Sequence, residues 1–396
     1  MNCDLGGGPL GELRPFFPTP AANEMPRTII IGDIHGCFDE LAALLDLLAP
    51  VSDDRIIALG DIVDRGPDSE KVLAFFRDTP NATSLLGNHE RKHIRSARGQ
   101  VRAALSQMIV RQQLAERYAD WLAFMGTLPQ QIELPEAILV HGFFEPGVPL
   151  DQQRDVVVVG TLTGEQYIRE KLSAPWYDHY AGPKPLVVGH HSYLGTGEPV
   201  IRDGLFYGID TGCVHGGRLT SLVLPEFRIV SVPARADYWS GMRQSFLAMM
   251  TRKRSPLDIP LEVLLAHVYG GDEDDPARPV SPVVPRIGLL AEACRQLAYT
   301  MCEEAMARTR AILAELARSP DWPALKDGRR AARFAGQVQG HPASPLLFKA
   351  RRGCLDVEGV LAMARTPQGL QRLAENLGLA ATVAEALAWW NRTDEP

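Results

Sequence analysis

Five short polar clusters punctuate the first half of the chain, and most follow an apolar, β-branched run. They read Gly32-Asp33-Ile34-His35-Gly36, Gly60-Asp61-Ile62-Val63-Asp64-Arg65-Gly66, Gly87-Asn88-His89-Glu90, His141-Gly142 and Gly189-His190-His191. Asp33, His35, Asp61, Asn88, His141 and His190 offer oxygen and imidazole donors without a thiolate, a set suited to manganese, iron or zinc. Asp33 and His35 stand two apart, so an extended segment points both to one side. The Asp61 carboxylate has two oxygens and can bridge two cations. Two such ions about 3.5–4 Å apart would clamp a phosphoryl group and lower the pKa of a shared water from about 15.7 toward ~7. His89 adjoins Asn88 and suits the proton donor to a leaving group. Asp64 is the carboxylate that would raise its pKa. Arg65 presents a two-pronged donor for phosphoryl oxygens. Singly, Asp33, Asp61 and Asn88 read equally well as helix caps or turn formers. Five such clusters in one chain, four of them carrying histidines, favour chemistry.

These clusters need elements to bring them together. Thr28–Asp33, Arg55–Asp61 and Ser84–Asn88 read as buried strands, with helices over Asp39–Pro50 and Ser69–Asp78 between them. That β-α-β-α-β order favours a sheet buried between helices. Ligands bind at the carboxyl ends of strands in such sheets, so distant clusters can share one rim. Further strands are expected at Ala137–Gly142, Pro185–His190, Leu205–Asp210, Leu219–Pro225 and Phe227–Pro233, the last two as an antiparallel pair turned at Pro225-Glu226. After Ala236 the strand signals stop. Gly270–Arg286 is rich in proline and acid and reads as a linker. Ile287–Arg318 carries a helical stripe of Leu290, Cys294, Leu297, Met301, Ala305, Ile312 and Leu316, read as a packing seam. Shorter helices are expected at Asp356–Ala364, Pro367–Leu377 and Ala380–Trp390. The resulting division is an N-terminal arm over 1–26, a catalytic domain over 27–235 and a helical region over 236–396, with the linker near 270–286.

Bulk properties narrow the classes. A chain of 396 residues with 45% hydrophobic and 22% charged residues has room for two or three domains and is not broadly disordered. A net charge of -7 argues against coating nucleic acid. No run of about 18 apolar residues could span a membrane. The six cysteines are scattered without a C-x-x-C pair, and the N-terminus lacks the pattern of a secretory signal, so a cytoplasmic protein with reduced thiols is expected. Gly6-Gly7-Gly8 has no lysine after it and is not a phosphate loop. Cys37 and Cys213 adjoin the clusters and read first as small buried residues, with oxidation or incidental metal binding as the alternative. His93, His179, His267 and His341 read as ordinary histidines, and His191 and His215 as intermediate. Trp176, Tyr177 and Tyr180 read equally as a pocket wall, a base-stacking surface or simple packing. Lys326–Arg333 and Lys349–Arg352 form local basic surfaces.

The motifs GDIHG, GDIVDRG, GNHE, HG and GHH, in that order, resemble the signature of the PPP-type, calcineurin-like metallophosphoesterases, among them bacterial serine/threonine protein phosphatase-like members. The resemblance covers Thr28 to Val232, and Ile209–Leu222 also resembles a segment common in bacterial members. It implies an α/β (α+β) fold, a β-sandwich flanked by helices, here followed by an all-helical C-terminal region. It implies two divalent ions, manganese first with iron or zinc as alternatives. By position Asp33, His35 and Asp61 would hold the first, and Asp61, Asn88, His141 and His190 the second. His89 with Asp64 would be the acid dyad, Arg65 a phosphate ligand, and Asn88 a further substrate contact. The chain departs from the family in three places. Phe143-Phe144 follows His141-Gly142 where two glycines are common. GHH replaces GHT, and alignment on the glycine selects His190 over His191. Arg154 and Arg169 are the arginines between the last two clusters, and neither matches the family's second phosphate-binding arginine. The resemblance implies hydrolysis of phosphate monoesters, first of a serine/threonine phosphoprotein. The alternative is diadenosine tetraphosphate or another nucleotide, and a second alternative is a non-catalytic phosphate-binding regulator. The partner is then a phosphorylated protein or nucleotide, nucleic acid is not favoured, and the C-terminal helices offer a surface to a protein.

Overall fold

The computed structural model describes residues 25–172, 175–202, 204–251, 255–269 and 285–386. Nearly all of the expected N-terminal arm, Cys3, the Gly6–Gly8 triplet, most of the linker and the end of the last helix lie outside the described residues. The chain divides into two compact units between Arg243 and Gln244.

The first unit holds two five-stranded mixed sheets. In chain order its strands are β1 (Thr28–Ile31), β2 (Arg55–Ala58), β3 (Ala82–Ser84), β4 (Gln131–Glu133), β5 (Ile138–Val140), β6 (Leu186–Val188), β7 (Val200–Arg202), β8 (Phe206–Gly208), β9 (Arg218–Leu224) and β10 (Arg228–Pro233). One sheet runs β10-β9-β1-β2-β3 and the other β4-β5-β6-β8-β7. β1, β2 and β3 are parallel, as the helical crossovers α1 (Phe38–Leu48) and α2 (Ser69–Asp78) require. β9 and β10 form the expected antiparallel pair, with Val223 opposite Arg228.

The strands are apolar on both faces because each face is covered. Leu139, Val187 and Tyr207 point to one side of the second sheet and share a buried cluster with Ile30, Ile57, Leu222 and Leu224 of the first. Their neighbours Ile138, Val140, Leu186, Val188 and Phe206 point the other way. There they pack on Val157, Val158, Ile168 and Trp176, from α6 (Asp155–Val158), α7 (Leu162–Lys171) and the turn that follows. Between β3 and β4 lie α3 (Asn88–Ala97), α4 (Leu105–Leu114) and α5 (Tyr118–Met125). Complete burial of such a side chain is worth about 1.5–3 kcal/mol, so this two-sided core fixes the sheets firmly enough to aim the loops at their ends.

One strand differs from expectation. Ser84–Asn88 is apolar enough to read as ladder, yet β3 ends at Ser84 and Asn88 already opens α3. Leu85 and Leu86 are buried in the two opposite clusters, so their apolarity reports core filling. Leu86 donates its N–H to Pro129 O and leaves the sheet. Trp176 and Tyr180 are buried in the outer cluster and pack, while the half-buried Tyr177 stacks on Phe206 with centroids 4.7 Å apart.

The second unit is helical. α8 (Tyr238–Thr251) runs across the division, followed by α9 (Leu261–Tyr269), α10 (Pro285–Leu316), α11 (Asp327–Val338), α12 (Ser344–Arg351), α13 (Val357–Ala364), α14 (Pro367–Asn376) and α15 (Ala380–Ala386). α10 is the spine. Leu290, Cys294, Leu297, Met301 and Ala305 are buried along it at helical spacing, whereas Ile312 and Leu316 are half-buried. Part of the basic surface is neutralised locally, Arg333 by Asp321 and Arg351 by Asp327. No helix among the described residues is long and apolar enough to cross a membrane.

Candidate metal centre

The carboxyl ends of β1, β2, β3, β5 and β6 deliver the polar clusters to one place, with Asp33, His35, Asp61, Asn88, His141 and His190 all buried. The backbone there is strained: His35, Asp61, Asp64, Arg65 and His190 all have φ between 46° and 74°. Non-glycine residues in that region cost about 1–3 kcal/mol each, and they concentrate where function over-determines geometry. Glycines give the room. A Cβ on Gly87 would stand 2.1 Å from Asp61 Oδ1, and one on Gly189 would stand 2.2 Å from Asp33 Oδ1.

Asp61 is the centre. Its Oδ1 accepts the His89 N–H at 3.1 Å. Its fully buried Oδ2 accepts no hydrogen bond, yet three imidazole Nε2 atoms face it: His141 at 3.3 Å, His35 at 3.6 Å and His89 at 4.0 Å. Two of the rings have their orientation set by the backbone. His35 Nδ1 donates to Val63 O and His141 Nδ1 donates to Leu59 O, which turns each Nε2 inward. His141 Nε2 also lies 2.9 Å from Asn88 Oδ1, so it meets two oxygens that can only accept. A proton or a cation must sit between them. Against burial, which opposes the charge, Asp61 and Asp33 push His141 up to about 10. Burial and the charge of Asp210 hold Asp33 well above the carboxylate range. Burial and Arg65 hold His35 well below the imidazole range. This crowded negative site attracts positive charge, and oxygen with imidazole is the donor set of a hard or borderline divalent ion.

The structure groups His35, Asp61 and His89 around one point, and Asp61, His141 and His190 around another. Asp61 belongs to both, and the first group holds His89 where Asp33 was expected. Asp33 stands beside them, and its carboxylate accepts the His190 N–H at 3.0 Å. The His190 ring packs against Gly160, where a Cβ would come within 2.9 Å of it. His191 instead faces Glu165, 3.6 Å away, outside both groups. Arg65 Nη1 donates to His35 Nε2 at 2.8 Å, at the edge of the first group. Arg154 lies over Tyr167 and near Glu145, and Arg169 pairs with Glu165; both are exposed, away from the two groups.

His89 and Asp64 are joined, with Nδ1 2.6 Å from Asp64 Oδ2. This leaves His89 Nε2 toward Asp61. Asp64 is saturated on its other sides: His93 Nε2 lies 2.8 Å from Oδ1, and Ser106 and Gln107 donate to Oδ2. Against burial, His93 and His89 keep Asp64 well below the ordinary carboxylate range, so it stays ionised. His93, read from sequence as an ordinary surface or core histidine, is a buried core member of this network held in turn by Tyr118. Its signal was present: His89 and His93 are four apart and share one face of α3.

Glu90 also escaped notice as more than the end of a motif. Its carboxylate accepts the N–H groups of Gly87 and Asp61 on Oε2 and of Ile62 and Val63 on Oε1. It ties the β2 and β3 loops together. Burial and the Asp61 charge push it up to about 7, so its ionised form dominates at pH 8. Glu90→Gln places an NH2 against two of those donors, and each orphaned buried donor costs about 1–3 kcal/mol. Urea unfolding at pH 8 is expected to show a loss of about 3 kcal/mol; a loss under ~1 kcal/mol would mean the clamp does not hold the loops.

Residues 26–208 match the calcineurin-like phosphoesterase family. A bis(5'-nucleosyl)-tetraphosphatase PrpE (asymmetrical) of Halalkalibacterium halodurans is 31% identical over 247 residues, covering 55% of this chain and 98% of its own length. A symmetrical bis(5'-nucleosyl)-tetraphosphatase of Methylobacillus flagellatus is 30% identical over 267 residues, covering 52% of this chain and 95% of its own length. The crystal structure of a metallophosphoesterase from Sphaerobacter thermophilus aligns with a TM-score of 0.38 at 19% identity, covering 56% of this chain and 94% of that one.

Proposed function

This chain belongs to the calcineurin-like phosphoesterase family, the phosphoric ester hydrolases built on a binuclear divalent metal centre, and we propose that it cleaves the polyphosphate bridge of a dinucleoside polyphosphate such as diadenosine tetraphosphate. The observation that carries this reading is the pair of tetraphosphatase relatives matched over nearly their whole length. They support the nucleotide alternative over the phosphoprotein reading placed first from sequence. Family membership also sets aside a binding-only regulator.

In this reading Asp33, His35 and Asp61 would hold one ion, and Asp61, Asn88, His141 and His190 the other. The idle Asp61 Oδ2 facing inward-turned imidazoles fits such a pair. Bound there, the ions supply charge neutralisation and an activated water. The protein supplies the rest. Arg65, lifted from His35, offers two N–H groups to phosphoryl oxygens and offsets the charge developing on them. Asp64 fixes the tautomer of His89 and keeps its Nε2 aimed inward, where a protonated ring hands its proton to the departing oxygen. No side chain is needed as nucleophile, so no covalent phosphoenzyme forms.

A substrate panel tests the reading. With manganese supplied, kcat/KM for diadenosine tetraphosphate is expected to exceed that for a phosphoserine peptide at least tenfold. The reverse order would return the chain to the phosphoprotein reading, and the nucleotide products would show whether cleavage is symmetrical.

A further inference from the structure

Behind the His35 loop lies a second cluster that the phosphoesterase chemistry does not use. Cys37 caps the N-terminus of α1, Glu40 stands in its first turn, and Cys213 comes from the segment between β8 and β9. All three are buried, at 0%, 2% and 1% exposure, and their Sγ and carboxylate oxygen atoms lie within 4.8 Å of one another. Glu40 Oε1 accepts the Arg235 N–H at 3.0 Å and the Tyr238 hydroxyl at 2.9 Å. Its other oxygen, Oε2, is buried and accepts nothing.

Packing alone does not account for this arrangement. Two small thiols fill space acceptably, but a buried carboxylate with an idle oxygen beside them is costly unless something positive meets it. A Cys37–Cys213 disulfide would satisfy the sulfurs and still leave Glu40 Oε2 idle. A cation satisfies all three.

We propose that Cys37, Cys213 and Glu40 form a separate site for one zinc-class divalent ion. Binding releases two protons, one from each thiol, and forms two metal–sulfur bonds and one metal–oxygen bond; no redox change occurs. Three protein ligands leave the fourth tetrahedral position to water. The sulfur donors distinguish this site from the phosphoesterase cluster, which has none, so a thiophilic ion prefers this site over the other. Occupied, the site pins the start of α1, and with it the loop carrying His35, to the Cys213 segment.

Cobalt is the probe. The reduced, metal-stripped full chain is titrated with cobalt in the presence of manganese, and thiolate-to-cobalt charge transfer is read in the near ultraviolet. The expected result is a band that saturates at one equivalent, disappears when zinc is added and is absent from Cys213→Ser. Glu40→Gln keeps both thiols and an acceptor for Arg235 and Tyr238, and is expected to bind cobalt at least about tenfold more weakly. No thiolate band in the wild-type chain, a band that survives in Cys213→Ser, or unchanged cobalt affinity in Glu40→Gln would each overturn the proposal. The last comparison stands even if Cys213→Ser does not fold.

Discussion

Asp61→Asn is expected to lower kcat about 10³-fold with manganese saturating, on both diadenosine tetraphosphate and an activated aryl phosphate, while the thermal midpoint changes little. The amide is nearly isosteric, and its oxygen still accepts the His89 N–H that Asp61 Oδ1 takes at 3.1 Å. What changes is the other atom. Asp61 Oδ2 is an anion faced by three imidazole nitrogens, and an amide NH2 there cannot be shared between two ions. Losing the shared ligand removes several kcal/mol of charge stabilisation. About 4 kcal/mol corresponds to 10³ in rate. A variant that keeps more than a tenth of the wild-type kcat would place the bridge elsewhere.

His89→Asn is expected to separate substrates by leaving group. General acid catalysis contributes about 10²–10⁴-fold, and it matters most when the departing oxygen is a poor leaving group. An alkyl phosphate monoester should lose about 10³-fold in kcat. An aryl phosphate with an activated leaving group should lose less than about tenfold. A dinucleoside polyphosphate should fall near the aryl case, because its departing oxygen belongs to a phosphate that carries its own charge. The 2.6 Å contact with Asp64 aims His89 Nε2 into the site. Equal losses across the three substrates would show that His89 acts by position and not by giving a proton.

The strands β1, β2, β5, β6, β8, β9 and β10 were legible because they are apolar and bounded by polar clusters, but the residue pattern gave one sheet buried between helices, and the two packed sheets came from the family resemblance. The six donors were legible as one set because each polar cluster ends a strand, while their division into two groups came from the family resemblance. What the sequence hid were partners whose role exists only in three dimensions. Ser106 and Gln107 reach Asp64 from more than 40 positions away, with no motif to mark them. Gly160 cradles His190 without any local signature. The three-residue strands β4 and β7 are too short to show a period of two, and they sit at the edges of their sheet. Ser84–Asn88 failed for a related reason: apolarity records burial, and burial here belongs to two leucines leaving the sheet.

The central claim is that these side chains hold a pair of ions a few ångströms apart around one carboxylate. Electron paramagnetic resonance of the manganese-loaded chain tests it most directly. An exchange-coupled spectrum from two manganese ions per chain is expected, replaced by an isolated-ion spectrum in Asp61→Asn. An uncoupled six-line spectrum from the wild-type protein at saturating manganese would contradict it.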